Sequence, residues 1–213
     1  MNIAILGASG FTGKVLLEKA LERGHAIKVL ARNPEKLASF GDSIQVIEGD
    51  YLNQQAINQV VEGVDVVIST IGAPATRKTS LTANDFADAM THLVMAMEKG
   101  GVKRLINLAS AGTRFKGEKV SFIRGVIRLF FSLTAPVVIP AKEKELAIVQ
   151  QSSLDWTSIR PPLIQDNVPG SLQASVEFLN GNKVDVVQLA NFMLDNIDSQ
   201  DWIKKAPFVI SKV

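Results

Sequence analysis

Apolar residues in the first half of the chain form short runs, and between the runs they recur at helical spacing. Asn2–Leu6 is an apolar run that ends in glycine, the pattern of a parallel strand buried on both faces. Val15, Leu16, Ala20 and Leu21 then keep a helical period until Gly24, which suits a helix end. The runs Ala26–Ala31, Ile44–Glu48, 64–70 and 104–109 predict four more strands. Asn33-Pro34 predicts the capped start of a short helix through Leu37. Residues 53–62 predict a helix with Ala56, Ile57, Val60 and Val61 on one face. Residues 85–99 predict a longer one, patterned by Phe86, Ala89, Met90, Leu93, Val94 and Met97 and ended by Gly100-Gly101.

Strand and helix thus alternate through residue 109. Alternation of this kind, with right-handed crossovers, predicts an α/β fold: a Rossmann-like, doubly wound parallel sheet with helices on both faces. The second half is less regular. Helices are expected over 121–133, 142–151 and 184–197. Strands are expected over 154–160, 172–176 and 208–210. With no repeat or linker, residues 1–213 are read as one domain, with 111–140 and 162–183 forming a small substrate-side region.

Composition narrows the function classes. A net charge of +2 gives little field for nucleic acid. With no cysteine and only His25 and His92, disulfides, thiolate catalysis and a His- or Cys-rich metal site are excluded, so no metal is expected. The most apolar stretch, 122–133, is too short to span a bilayer and carries Arg124 and Arg128. No secretory leader precedes the strand pattern at Asn2, so a cytoplasmic, non-membrane protein is expected.

The informative motif lies between the first strand and the first helix. Gly7-Ala8-Ser9-Gly10-Phe11-Thr12-Gly13 spaces its glycines G-x-x-G-x-x-G. Gly7 permits a tight turn, Gly10 lets a pyrophosphate approach the backbone, and Gly13 lets helix and sheet pack closely. The helix start offers unpaired N–H groups near Phe11 and Thr12, and Ser9 and Thr12 add hydroxyls. In this context the turn reads as a dinucleotide site. The second strand ends in Ala31-Arg32-Asn33, without the carboxylate that would take a ribose 2′-hydroxyl. A guanidinium at Arg32 pairs with a 2′-phosphate, which favours NADP(H). Asp50 fits either an adenine contact or an ordinary strand-end turn, and Gly72 either a close cofactor approach or a plain turn.

Together, 7–13 (GASGFTG), Ala31-Arg32-Asn33-Pro34, Glu48-Gly49-Asp50 and 154–161 (LDWTSIRP) resemble the atypical short-chain dehydrogenase/reductases, in particular the NmrA-like and biliverdin-reductase-B/flavin-reductase group. The resemblance covers nearly the whole chain and is weakest over 111–140. It implies an NADP-binding Rossmann domain with the nicotinamide near Gly72-Ala73, Ser110 and the backbone after Pro161-Pro162. It also implies catalytic positions at Ser110 and Lys142. Ser110 fits a donor to substrate or a cap on the following turn. Lys142 fits a ribose contact or a solvated lysine in Lys142-Glu143-Lys144-Glu145.

The wider superfamily's Tyr-x-x-x-Lys tyrosine is replaced by Val138, and the chain's one tyrosine is Tyr51. Ordinary alcohol chemistry needs that tyrosine as proton donor. A flavin or quinone, which accepts hydride into a conjugated ring, does not. The expectation is an NADP(H)-dependent oxidoreductase acting on such a planar small molecule. The alternative is an NADP(H)-binding redox sensor that regulates a protein partner. Over 111–140, Arg114, Lys116, Arg124 and Arg128 could attract an anionic ligand, and Phe115, Phe122, Phe130 and Phe131 could stack on a flat one. The plainer expectation buries these aromatics and exposes the basic residues.

Overall fold

A computed structural model describes residues 1–114, 118 and 120–213. Six parallel strands form the central sheet: β1 (Asn2–Leu6), β2 (Ala26–Ala31), β3 (Ile44–Glu48), β4 (Val66–Ser69), β5 (Arg104–Leu108) and β6 (Asp155–Ile159). Their spatial order is β3-β2-β1-β4-β5-β6. The chain therefore starts in the middle, winds outward, and returns beside its own first strand. The gap between the diverging loops after β1 and β4 is the switch point of a doubly wound sheet.

Side-chain alternation along each strand feeds two cores. Ala4 and Leu6 of β1 face the side covered by α2 (Gln54–Val61), α3 (Ala83–Gly100) and α5 (Val138–Gln151). Ile3 and Ile5 face the side covered by α1 (Phe11–Glu22) and α6 (Val186–Asp195). Phe86, Met90, Leu93 and Met97 are the buried stripe of α3, as their spacing predicts. That helix begins with a reciprocal Thr82–Asp85 capping box and ends on Gly101 at φ 73°.

The second half adds α4 (Phe122–Thr134) and four short strands. These are β7 (Leu163–Gln165), β8 (Ser171–Ser175), β9 (Lys183–Asp185) and β10 (Phe208–Lys212). β8 pairs antiparallel with β10, and β7 pairs parallel with β9. β7 and β9 are three residues each, too short to show an alternation in sequence.

Three local expectations change. Asn33 makes no side-chain cap, and the turn after it is a 3₁₀ segment, Pro34–Ser43, broken at Gly41 (φ 49°), not a helix ending at Leu37. α5 starts at Val138, before Lys142, because Pro140 falls in its first turn, where no amide donor is needed. Finally, α4 is inverted. Phe122 is 87% exposed and Phe130 60%, while Arg124 is 1% exposed. The expected arrangement, aromatics in and cations out, fails because the cations have better partners inside. Arg124 pairs with Glu118 at 3.1 Å and donates to the carbonyls of Ala111 and Thr113, and Arg128 pairs with Glu143 and donates to the Gly112 carbonyl. Phe115 and Lys116, also named as ligand-facing candidates over 111–140, lie outside the described residues.

Among the described residues, no single helix is long and apolar enough to cross a membrane.

Candidate functional site

The turn after β1 is held by Thr70, immediately after β4. Its Oγ1 donates to the carbonyls of Leu6 (3.1 Å) and Gly7 (3.3 Å). Gly7 sits at φ 87°, and a Cβ there would meet Thr70 Oγ1 at 2.7 Å. A Cβ on Gly13 would lie 2.0 Å from the Gly7 carbonyl oxygen. The two outer glycines are thus required by packing, as the spacing suggested. Gly10 is the N-cap of α1 and supplies no side-chain cap, and no acid occupies the first turn. The helix start keeps its positive end free for an anion.

Two cavities open on either side of this helix start. The smaller, about 310 Å³, is lined by Gly7, Ser9 and Gly10 from the turn, Arg32 and Asp50 from the ends of β2 and β3, and Ile71 and Gly72 after β4. Leu30, Leu81 and Phe86 make its apolar walls, and Tyr51 also lines it. The larger, about 1030 Å³, is lined by Phe11 and Thr12 from α1, Ser110 and Ala111 after β5, Pro161 and Pro162 after β6, and apolar residues of α4. Phe178, Asn180 and Asn182 complete it from the loop after β8.

Both open where strands end, which is where ligands bind in sheets of this topology. Of the eleven residues read as cofactor-binding and two as catalytic, the smaller cavity gathers Gly7, Ser9, Gly10, Arg32, Asp50 and Gly72. The larger gathers Phe11, Thr12, Ser110 and Pro161. Gly13 sits behind the turn, and Ala73 packs partly buried against the core under α3.

The charged groups are arranged loosely at the rim and tightly behind it. Arg32 has a 74% exposed side chain, 3.7 Å from the Asp50 carboxylate. The other Asp50 oxygen accepts from the Leu52 amide at 2.8 Å, so Asp50 also closes its own turn. Ser110 likewise does two things. It faces the larger cavity, and its Oγ accepts from the Gly112 amide at 3.2 Å.

Lys142 is neither solvated nor in a cavity wall. It is 5% exposed, and its Nζ donates to Glu145 Oε2 (2.7 Å) and to the Ile71 carbonyl (2.6 Å). The lysine thus braces the loop after β4 from behind. Burial pushes the Glu145 carboxyl above its ordinary value, against the opposing pull of Lys142. Burial, and then the Glu145 charge, raise the Tyr51 hydroxyl well above its ordinary value. That hydroxyl has no hydrogen-bond partner among the described residues.

Sequence reasoning did not single out Thr70. Its signal was the polar pair Ser69-Thr70 closing the apolar run 66–68 opposite the glycine turn. Asn180 and Asn182 lie in a stretch without periodicity, so only the fold brings them to the site.

Residues 7–200 match the family described as NAD(P)H-binding. The chain belongs to that family. An isoflavone reductase homolog, A622-like, from Nicotiana tabacum is 33% identical over 116 residues, covering 49% of this chain and 34% of that protein. The chain therefore spans about a third of that relative's length.

Among solved structures, ChuY, an anaerobillin reductase from Escherichia coli O157:H7, superposes with a TM-score of 0.80 at 18% identity, covering 99% of this chain and 97% of that one. A short-chain dehydrogenase/reductase from Veillonella parvula in complex with NADP superposes with a TM-score of 0.77 at 19% identity, covering 99% and 94%. At these identities the superpositions establish the shared fold.

Proposed function

We propose that this protein is an NADP(H)-dependent oxidoreductase that reduces a planar acceptor such as a flavin or a quinone. The observation that carries the reading is the pair of cavities meeting at the uncapped start of α1. The residues present fit the cofactor. Gly10 adds no side chain where a diphosphate would approach, and the amides near Phe11 and Thr12 would hold it. The adenosine half would lie in the smaller cavity. The exposed Arg32 guanidinium, only loosely paired with Asp50, would take the 2′-phosphate. When bound, NADPH would supply a hydride, and a quinone acceptor would need only one further proton, available from water, to leave as the hydroquinone.

The protein's part is positioning and exclusion of water. Ser110 offers a hydroxyl to the acceptor. Thr12 adds a second, and Phe11, Phe130 and Phe178 offer aromatic faces. No tyrosine stands in the larger cavity among the described residues, so the acceptor must be one that needs little protein acid.

NADPH consumption with a panel of quinones and flavins tests this. Turnover that Arg32→Glu weakens far more with NADPH than with NADH is the expected result. Equal loss with both would remove the 2′-phosphate contact. A second reading is favoured by the diversion of Lys142 into a buried ion pair: a redox sensor that binds NADP(H) and regulates a partner. Tight NADP(H) binding with no turnover across the panel would select it.

A further inference from the structure

The described residues lining the larger cavity include no charged side chain. Their polar side chains are Thr12, Ser110, Asn180 and Asn182, and the rest of the wall is apolar. Burying an anion against such a wall costs several kcal/mol per charge, so the described wall disfavours an anionic acceptor.

The wall also does not stop at the cavity. Ile123, Val126 and Phe130 of α4 line it, yet each is more than half exposed. Beside them on the helix, Phe122, Leu129 and Leu133 continue outward, at 87%, 61% and 57% exposure. The spacing Phe122, Val126, Leu129, Leu133 is one helical stripe. It runs roughly 16 Å at the usual rise per residue. Six such side chains, each more than half exposed, leave on the order of 600 Å² of apolar surface, at the top of the range for a monomer's largest patch. The helix cations do not border this stripe, since Arg124 and Arg128 are tied to Glu118 and Glu143 on the other side.

We infer that the acceptor is an uncharged ring compound with an alkyl or isoprenoid chain, the ring lying in the cavity and the chain running out along α4. This rests on the reductase reading above and names its substrate class. Continuity is the deciding feature, because Ile123, Val126 and Phe130 line the cavity and are also more than half exposed, and Val126 is itself a member of the outer stripe. An occupant that starts inside and ends outside covers both.

Calorimetry with protein saturated in NADP⁺, which cannot reduce the acceptor, separates the chain from the chemistry. The probes are a methylated benzoquinone without a tail, its decyl derivative, and flavin mononucleotide. Each buried methylene tightens binding by about fourfold. A ten-carbon tail with one side buried on α4 counts as about five buried methylenes, and is therefore expected to tighten binding by about a thousandfold. Leu129→Ser/Leu133→Ser, at exposed positions outside the cavity wall, is expected to cut that gain at least tenfold while thermal melting stays unchanged.

An equal tail gain in the variant, no gain in the parent, or tighter binding of flavin mononucleotide than of the decyl quinone overturns the inference. So does a loss of dimerisation or of phosphatidylcholine-vesicle binding in the variant with the tail gain intact, since the stripe would then serve a second copy or a bilayer. A full tail gain without NADPH oxidation upholds the chain site and removes the reductase reading.

Discussion

Replacing Lys142 by methionine tests whether a buried ion pair holds the loop that borders the smaller cavity. Lys142 and Glu145 are 5% and 1% exposed, and the lysine also donates to the Ile71 carbonyl. Removing one partner of a buried pair leaves an uncompensated charge and typically costs about 3–5 kcal/mol. For a chain of this size that is a fall in melting temperature of roughly 6–20 °C.

The effect has a definite pH dependence. In the folded chain the Glu145 carboxyl lies above its ordinary value because it is buried. The folded state therefore holds that proton at a pH where the unfolded chain has released it. Stability on this account falls as pH rises from the ordinary glutamate range, about 4.3, towards the folded value. Without Lys142 the carboxyl rises further, so Lys142→Met should come close to the parent at pH 4 and fall furthest behind at pH 8. Lys142→Met/Glu145→Leu, which leaves no buried charge, should recover most of the loss at pH 8. Thermal melts of the three proteins at both pH values decide the matter. A gap below about 1 kcal/mol, or one that does not change with pH, refutes the reasoning.

Gly13→Ala should cost more than the 1–3 kcal/mol usual for overpacking, because its Cβ would lie 2.0 Å from a backbone oxygen; denaturant titration reads this directly. Thr70→Val removes the hydroxyl that donates to the Leu6 and Gly7 carbonyls, and should cost about 1 kcal/mol and weaken NADPH binding about three- to tenfold, measured by calorimetry. Arg160→Met should lose about 2–4 kcal/mol in a thermal melt, since its guanidinium lies 3.6 Å from the Phe208 ring centroid, donates to the Ala206 carbonyl and pairs with Glu118. Phe122→Ser, at an 87% exposed position, should change stability by less than about 0.5 kcal/mol, and a melt outside that range would mean α4 is buried in solution.

Local pattern alone determined the six parallel strands, the stripe of α3, and the glycine turn whose outer members the packing requires. Each follows from a period of two or 3.6, or from a residue that only a tight backbone tolerates, and such constraints are written in consecutive residues. The same holds for Arg32 and Asp50, which end β2 and β3 and so reach one rim once the sheet order is known.

Tertiary structure decided what depended on distant partners. Lys142 looks solvated within a charge run, yet Glu145 and the Ile71 carbonyl bury it. Phe122 and Phe130 look like core, yet Glu118 and Glu143 draw the cations of α4 inward and turn its apolar side outward. Asn180 and Asn182 reach the larger cavity only because the strands around their loop pair across the chain. A charged side chain goes where its counter-charge and acceptors are, and those lie too far along the chain for local periodicity to register.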